Sequence, residues 1–327
     1  MSQQLLHQAA AAFGFDAETL VFLSNSSNEV YRFVKNNQPH ILRMSAKPAA
    51  YVKQIQAEID WVYYLALNGV RTSLPVHTSD GQLTAVYSQQ EQCYIATAFQ
   101  MAPGCFFDKS DPQLWGPSIF RLWGETMGRI HLLTKSYSPA DPAARRSDWG
   151  RRRITNPYLH QGRYRMLTDK LEALEDVLSS LPRDTDSYGL IHNDFHPYNF
   201  HIDKGELTVF DFDDSIYGWY ALDIAIAAVH AVWWGPPGKD RQSKNKFAAH
   251  FLNEFLTGYS LHHVLSAYWI QQLPMLMDYR NICSYFWWLD AWNGDESGLS
   301  ESQQAAIAHA VMLISKGQRF EGCDFIL

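Results

Sequence analysis

Long apolar runs are missing from this chain. None reaches the roughly 18–20 residues needed to cross a bilayer, so no membrane span is expected. The opening Met1-Ser2-Gln3-Gln4 has no basic stretch followed by an apolar one, so no secretory signal is expected either. Cysteine is scarce. The four, at 93, 105, 283 and 323, show no paired spacing, which points to free thiols in a reducing cytoplasm rather than a disulfide framework. Positive charge is in deficit, with 27 Lys and Arg against 34 Asp and Glu. The net charge of −7 argues against a nucleic-acid partner. Internal repeats and low-complexity tracts are absent, which excludes solenoids and disordered tails. What remains is 327 residues with 46% hydrophobic content, enough to bury one large core or two lobes.

The chemistry concentrates in residues 190–214. An apolar entry ends at His192-Asn193-Asp194, and Asn199 follows five positions after Asp194. A turn at Asp203-Lys204-Gly205 leads into the strand-like Leu207-Thr208-Val209-Phe210, which ends on Asp211. The pattern reads as a β-hairpin with two carboxylates and one carboxamide at its ends. Phosphoryl transfer needs such a set. One carboxylate orients the acceptor hydroxyl and takes its proton; a carboxamide and a second carboxylate hold Mg2+ against the phosphates. A metal site is the competing reading, because His192, Asp194 and His196 alternate and His201 is near. Pro197 would interrupt the strand that reading requires.

The spacing His-x-Asp-x-x-x-x-Asn, then a strand, then Asp matches a kinase catalytic loop. With Phe212-Asp213-Asp214 after Asp211, and Gly218-Trp219 before Leu222-Asp223-Ile224-Ala225, the chain resembles the aminoglycoside phosphotransferase/choline kinase family. That family usually has Gly where Asn193 stands. The resemblance implies an α+β, protein-kinase-like bilobal fold: a small antiparallel-sheet lobe over 1–100, a larger helical lobe over 101–327, and a hinge near 98–104. It implies ATP and Mg2+ as cofactors, Asp194 as catalytic base, and Asn199 and Asp211 as metal ligands. His192, His196 and Asp223 would support the loop.

The rest of the chain offers the other parts in kinase order. An Ala-rich helix over 2–12 ends at Gly14. Strands are expected at 20–23, 30–34 and 40–44, the first two joined by a polar tip containing Ser26, Ser27 and Asn28. A kinase covers the phosphates with this loop and grips them from the third strand, usually with Lys. Here Arg43 stands at that place, and its planar fork suits phosphate oxygens. Glu58, on a helix opened by Pro48, would orient Arg43. Strands at 83–88 and 93–99, joined by a polar turn over 89–92, complete the small lobe. Met101 marks the adenine neighbourhood.

Beyond it, Pro112 is expected to open a helix containing His131 as a core histidine, and 159–181 to form another. The arginine-rich loop 145–153 reads as solvated. The stretch 235–238 breaks the chain, and helices near 219–232, 241–258, 263–290 and 300–318 fill the rest. The late aromatic-rich helix makes Asp278, Arg280, Trp287 and Asp290, with Asp213, candidates for the acceptor pocket. From Asp278 to Glu301 there are five acidic residues against one base, Arg280, so an amine-bearing alcohol is expected as acceptor. Two alternatives stay open: a protein serine/threonine kinase, though no Ala-Pro-Glu platform follows Asp211, and a nucleotide-binding protein without catalysis. Oligomeric state is not legible.

Overall fold

A computed structural model describes residues 1–89, 92–235, 238–290 and 292–325. The expected turn over 89–92 and break over 235–238 fall partly on residues 90–91 and 236–237, outside the described residues. In chain order the elements are α1 (Gln3–Phe13), β1 (Val21–Asn25), β2 (Glu29–Lys35), β3 (Gln38–Pro48) and α2 (Val52–Leu67), then β4 (Pro75–Val76), β5 (Ala85–Gln89) and β6 (Gln92–Gln100). Next come α3 (Pro117–Thr134), α4 (Gly162–Ser180), β7 (Tyr188–Ile191), β8 (Phe200–Asp203), β9 (Glu206–Val209) and β10 (Ile216–Trp219). Helices α5 (Tyr220–Trp234), α6 (Arg241–Tyr259), α7 (Ala267–Leu289) and α8 (Glu301–Ser315) follow. The chain is a mixed α+β protein, as its pattern implied. Among the described residues no helix is long and apolar enough to cross a membrane.

Contacts divide the chain into two compact units. The first comprises Met1–Phe107, Leu132–Ser147 and Tyr198–Ile216; the second comprises Asp108–His131, Asp148–Pro197 and Tyr217–Leu327. In the first unit an antiparallel sheet runs β1-β2-β3-β6-β4, with β5 also paired to β6. Strand alternation decides which side chains face which helix. Phe33, Leu42 and Met44 pack with Leu5, Ala9 and Phe13 of α1. Ile95 and Cys93 pack with Ile55 and Ile59 of α2. Arg43, one residue from Leu42, therefore turns to the α2 side.

Sequence reading passed over β4, a two-residue strand paired to Phe99 and Ala98. Its shortness leaves no period to detect. Strands β8 and β9 form the expected hairpin, with Phe200 opposite Val209. β7 lies outside that hairpin and pairs with β10.

In the second unit α3 begins at Pro117, not at Pro112. Residues after Asp111 are held in a turn, with Leu114 and Trp115 N–H groups both donating to its carbonyl. Proline at the first helical position loses no hydrogen bond, so Pro117 suits the start. Helix α5 is buried from Tyr220 through Val232, as expected for a helix apolar all round. Its buried Asp223 and His230 are seven residues apart and so share a face.

Helices α3 and α6 approach closely through glycine. A Cβ on Gly124 would lie 1.9 Å from the Phe255 carbonyl oxygen, and one on Gly258 1.9 Å from that of Arg121. Backbone cannot yield as a flexible side chain does. Gly124→Ala is expected to lower stability by about 1–3 kcal/mol through overpacking, read as a fall in the denaturation midpoint. Gly298→Ala, with nothing within 4 Å of the added atom, should stay within about 0.5 kcal/mol. Equal midpoints for the two variants would refute the close-packing account.

Candidate active site

In the first unit a cavity of about 370 Å3 is lined by Val30, Ile41, Phe99, Met101, Phe106 and Phe210 on its apolar side and by Arg43, Glu58 and Asp211 among its polar groups. This volume suits a small-molecule or cofactor site. Arg43 donates from Nη1 and Nη2 to the two oxygens of Glu58, at 2.8 and 2.9 Å. Both residues are buried, at 6% and 1% exposure. Burial alone would lower the Arg43 pKa, but the Glu58 carboxylate raises it above its ordinary value. The guanidinium also lies 5.6 Å from the Phe99 ring centre. Its Nε is buried without a hydrogen-bond partner among the described residues.

The open end of the β8–β9 hairpin brings Asn199 and Asp211 together. The Phe210 N–H donates to the Asn199 carbonyl at 3.0 Å, and Asp211 follows directly. Asp211 has φ 64°, which turns the chain as the strand ends. Burial first, then the charge of Asp213, pushes the Asp211 carboxyl well above its usual range; Arg43 opposes this. Asp213 accepts from Asn28 Nδ2 at 2.9 Å and Ser27 Oγ at 3.3 Å. Asn28 in turn accepts from Ser45 Oγ at 2.6 Å. The loop expected to cover phosphates thus ties Ser27 and Asn28 to Asp213. Ser26 is exposed, with its N–H donating to the Asn28 carbonyl. The Met101 N–H donates to Pro39, so it is its side chain that is exposed, at 37%.

Phe106 carries no signal in the sequence, and His201 was expected only as a possible metal ligand. Phe106 stands edge-on to His201, with ring centres 4.5 Å apart, and His201 meets Phe210 at 5.1 Å. The only hint was that Phe210 directly precedes Asp211. His201 Nδ1 lies 3.1 Å from the Ala102 carbonyl.

The second unit holds Asp194. Strand β7 ends at Ile191, so the alternation that a His192–Asp194–His196 metal face required does not exist. Asn193 has φ 64°, a left-handed conformation that Gly favours and Asn tolerates. That explains why an Asn can stand at a Gly position of the family. The loop backbone is anchored on α5: Asp223 accepts the His192 N–H at 3.0 Å and the Asn193 N–H at 2.8 Å. His131 Nε2 lies 3.1 Å from the same carboxylate, and its Nδ1 lies 2.8 Å from the Tyr259 hydroxyl. The His192 ring stacks on Phe195.

Asp194 itself meets two cations or donors. Arg280 Nη2 lies 2.6 Å from Oδ1, and His196 Nε2 lies 3.2 Å from Oδ2. Burial would raise its carboxyl pKa, but the His196 hydrogen bond and the Arg280 charge outweigh burial and hold it well below the carboxylate range. His230, not anticipated, lies 3.0 Å from Arg280 Nη2. Its spacing from Asp223 was the available signal.

Of the proposed acceptor residues, Arg280 reaches Asp194 within the second unit, and Asp213 belongs to the first. Asp278 is buried and accepts from Arg319 and from the Phe320 N–H at 2.8 and 3.0 Å. Asp290 pairs with Arg152, Glu296 with Arg163, and Trp287 is 75% exposed. Three of the five acids of this stretch are thus paired with arginines from elsewhere in the chain. The arginine-rich loop is likewise not simply solvated. Arg146 is buried, with Nε donating to the Ser215 carbonyl at 2.7 Å and Nη1 to that of Gln54 at 3.1 Å.

The signature of the phosphotransferase enzyme family, APH, matches residues 18–262. The chain belongs to that family. An amicoumacin kinase of Bacillus subtilis (strain 168) is 30% identical over 286 residues, which are 86% of this chain and 83% of that protein. The solved structure of an amicoumacin kinase in complex with AMP-PNP, Ca2+ and Ami has a TM-score of 0.86 at 27% identity, covering 97% of this chain and 94% of that one. A microcompartment-associated aminopropanol kinase shares the fold, with a TM-score of 0.77 at 19% identity over 96% of this chain and 97% of that one. This phosphotransferase is a small-molecule kinase with the kinase-like fold.

The buried Arg43–Glu58 pair gives a direct test. Glu58→Ala leaves a buried guanidinium without its counter-charge and is expected to cost about 3–5 kcal/mol of stability. The double variant Arg43→Met/Glu58→Leu should recover most of that loss. Urea unfolding measures both; a Glu58→Ala loss under about 1 kcal/mol would show the pair to be effectively solvated.

Proposed function

We propose that the chain transfers the γ-phosphate of ATP, with Mg2+, to a hydroxyl of a small organic alcohol. The carrying observation is the hairpin end that sets Asn199 beside Asp211 in the unit whose cavity is lined by the Arg43–Glu58 pair. The residues present fit a nucleotide and a divalent cation. The cavity is apolar enough for a base. Arg43 offers positive charge and a buried Nε–H without a partner among the described residues. Asp211, disfavoured as an anion by burial and by Asp213, gains from a neighbouring cation. The relative solved with AMP-PNP and Ca2+ supports the same reading.

In this proposal Asn199 and Asp211 hold the cation, which supplies charge against the phosphate oxygens. Arg43, oriented by Glu58, binds phosphate oxygen. Asp194 accepts the hydrogen bond of the acceptor hydroxyl, aligns it and takes its proton. A carboxylate held so low is a weak base. That suits a loose phosphoryl transition state, in which the nucleophile is positioned and gives up its proton late. Asp223, through the His192 and Asn193 amides, keeps Asp194 in place. The four cysteines are free, in keeping with a cytoplasmic location.

The acceptor is expected among the alcohols that relatives are named for and their analogues: amicoumacin, aminopropanol, aminoglycosides, choline-like and homoserine-like alcohols. A phosphorylation screen over that panel identifies it. Asp194→Asn should then lower kcat roughly 100- to 10,000-fold while a thermal shift with Mg2+-ATP persists. Asp211→Asn should lose the metal-dependent part of the shift. Transfer by Asp194→Asn at the wild-type rate would remove the base assignment.

A further inference from the structure

Helix α7 carries a guanidinium to the catalytic carboxylate, and only part of it is engaged. Arg280 Nη2 serves both Asp194 Oδ1, at 2.6 Å, and His230 Nε2, at 3.0 Å. An arginine can only donate, so His230 Nε2 accepts and the ring is neutral. Burial and the Arg280 charge hold its pKa well below the ordinary value, in agreement. His230 therefore steadies the guanidinium without adding charge. Among the described residues no hydrogen bond is made by Arg280 Nη1, and the side chain keeps 22% of its surface exposed.

The guanidinium is planar and its donors stand in a rigid fork. Since Nη2 of the same plane bonds Asp194, an atom bonded to Nη1 would belong to a group close to a hydroxyl bonded to Asp194. That atom needs a lone pair. An ammonium there would face Arg280 directly, and the carboxylate that could offset it is already paired with Arg280. Asp278 and Asp290 offer no second counter-charge, since Arg319 and Arg152 hold them.

We infer that Arg280 is a specificity-determining residue that reads an oxygen on the carbon next to the reacting hydroxyl, so that preferred acceptors are hydroxy-carbonyl compounds or vicinal diols. This rests on the kinase reading and on Asp194 as the group that binds the hydroxyl. An amine in the acceptor is then recognised away from the reacting carbon.

The test uses a matched pair, 3-amino-2-hydroxypropanamide and 1-amino-2-propanol. They share the amine and the secondary hydroxyl and differ by a carboxamide in place of a methyl group. Binding to the full chain with Mg2+ and a non-hydrolysable ATP analogue is measured by NMR titration, alongside kcat/KM with ATP. The wild type should favour the amide roughly tenfold to hundredfold, the worth of one hydrogen bond to a charged group. In R280M the ratio should collapse toward one, whatever happens to the absolute rates. A wild-type ratio near one, a preference that survives in R280M, or binding of neither compound overturns the inference. Asp194→Asn separates the underlying reading. If that variant transfers phosphate at the wild-type rate, the base assignment falls, while the binding ratio still decides the role of Arg280.

Discussion

A single buried carboxylate organises the loop that carries Asp194. Asp223 lies on the apolar helix α5, and accepts hydrogen bonds from two consecutive backbone amides of the loop. A charge in such surroundings persists only when it is fully hydrogen-bonded. Two amides and His131 meet that demand, so the loop cannot leave without exposing an unsatisfied anion. The left-handed turn at Asn193 follows from this anchoring, because both N–H groups must point at one carboxylate. Tyr259 extends the network through His131 to α6, whose close approach to α3 depends on glycines lacking a Cβ.

Electrostatics in the first unit works by a different balance. Arg43 and Glu58 are joined by two hydrogen bonds. The pair holds the guanidinium in one orientation, so little side-chain entropy would be left to lose in the phosphate binding proposed for it. Asp211 is under opposite stress, buried and repelled by Asp213. The unit thus holds one paired cation and one poorly satisfied anion. Tying Asn28 and Ser27 to Asp213 stiffens a loop that contains no glycine.

The acidic run of the C-terminal helices shows how local charge counts mislead. Counting along the chain found one base among five acids. Three of the five carboxylates find partners in distant segments: Arg319 for Asp278, Arg152 for Asp290 and Arg163 for Glu296. Charges are compensated in space, over distances of a few ångströms, and sequence windows do not measure that.

The groups of the candidate site are legible as a set in one dimension because they lie close together in the chain. Asp194, Asn199 and Asp211 fall within 18 residues, and a hairpin between them needs only local pairing and turn residues. Strand and helix periodicity likewise gave the mixed α+β character and most element boundaries. The facing of Arg43 toward Glu58 was also readable, as a strand alternation meeting a helix. What tertiary structure alone decided was which long-range partners meet. Arg280 reaches both Asp194 and His230, Arg146 leaves its loop for the interior, and three acids of the last segments are paired with arginines. Such contacts depend on how helices separated by tens of residues pack, and packing is set by side-chain shape across the whole core, which no local pattern encodes.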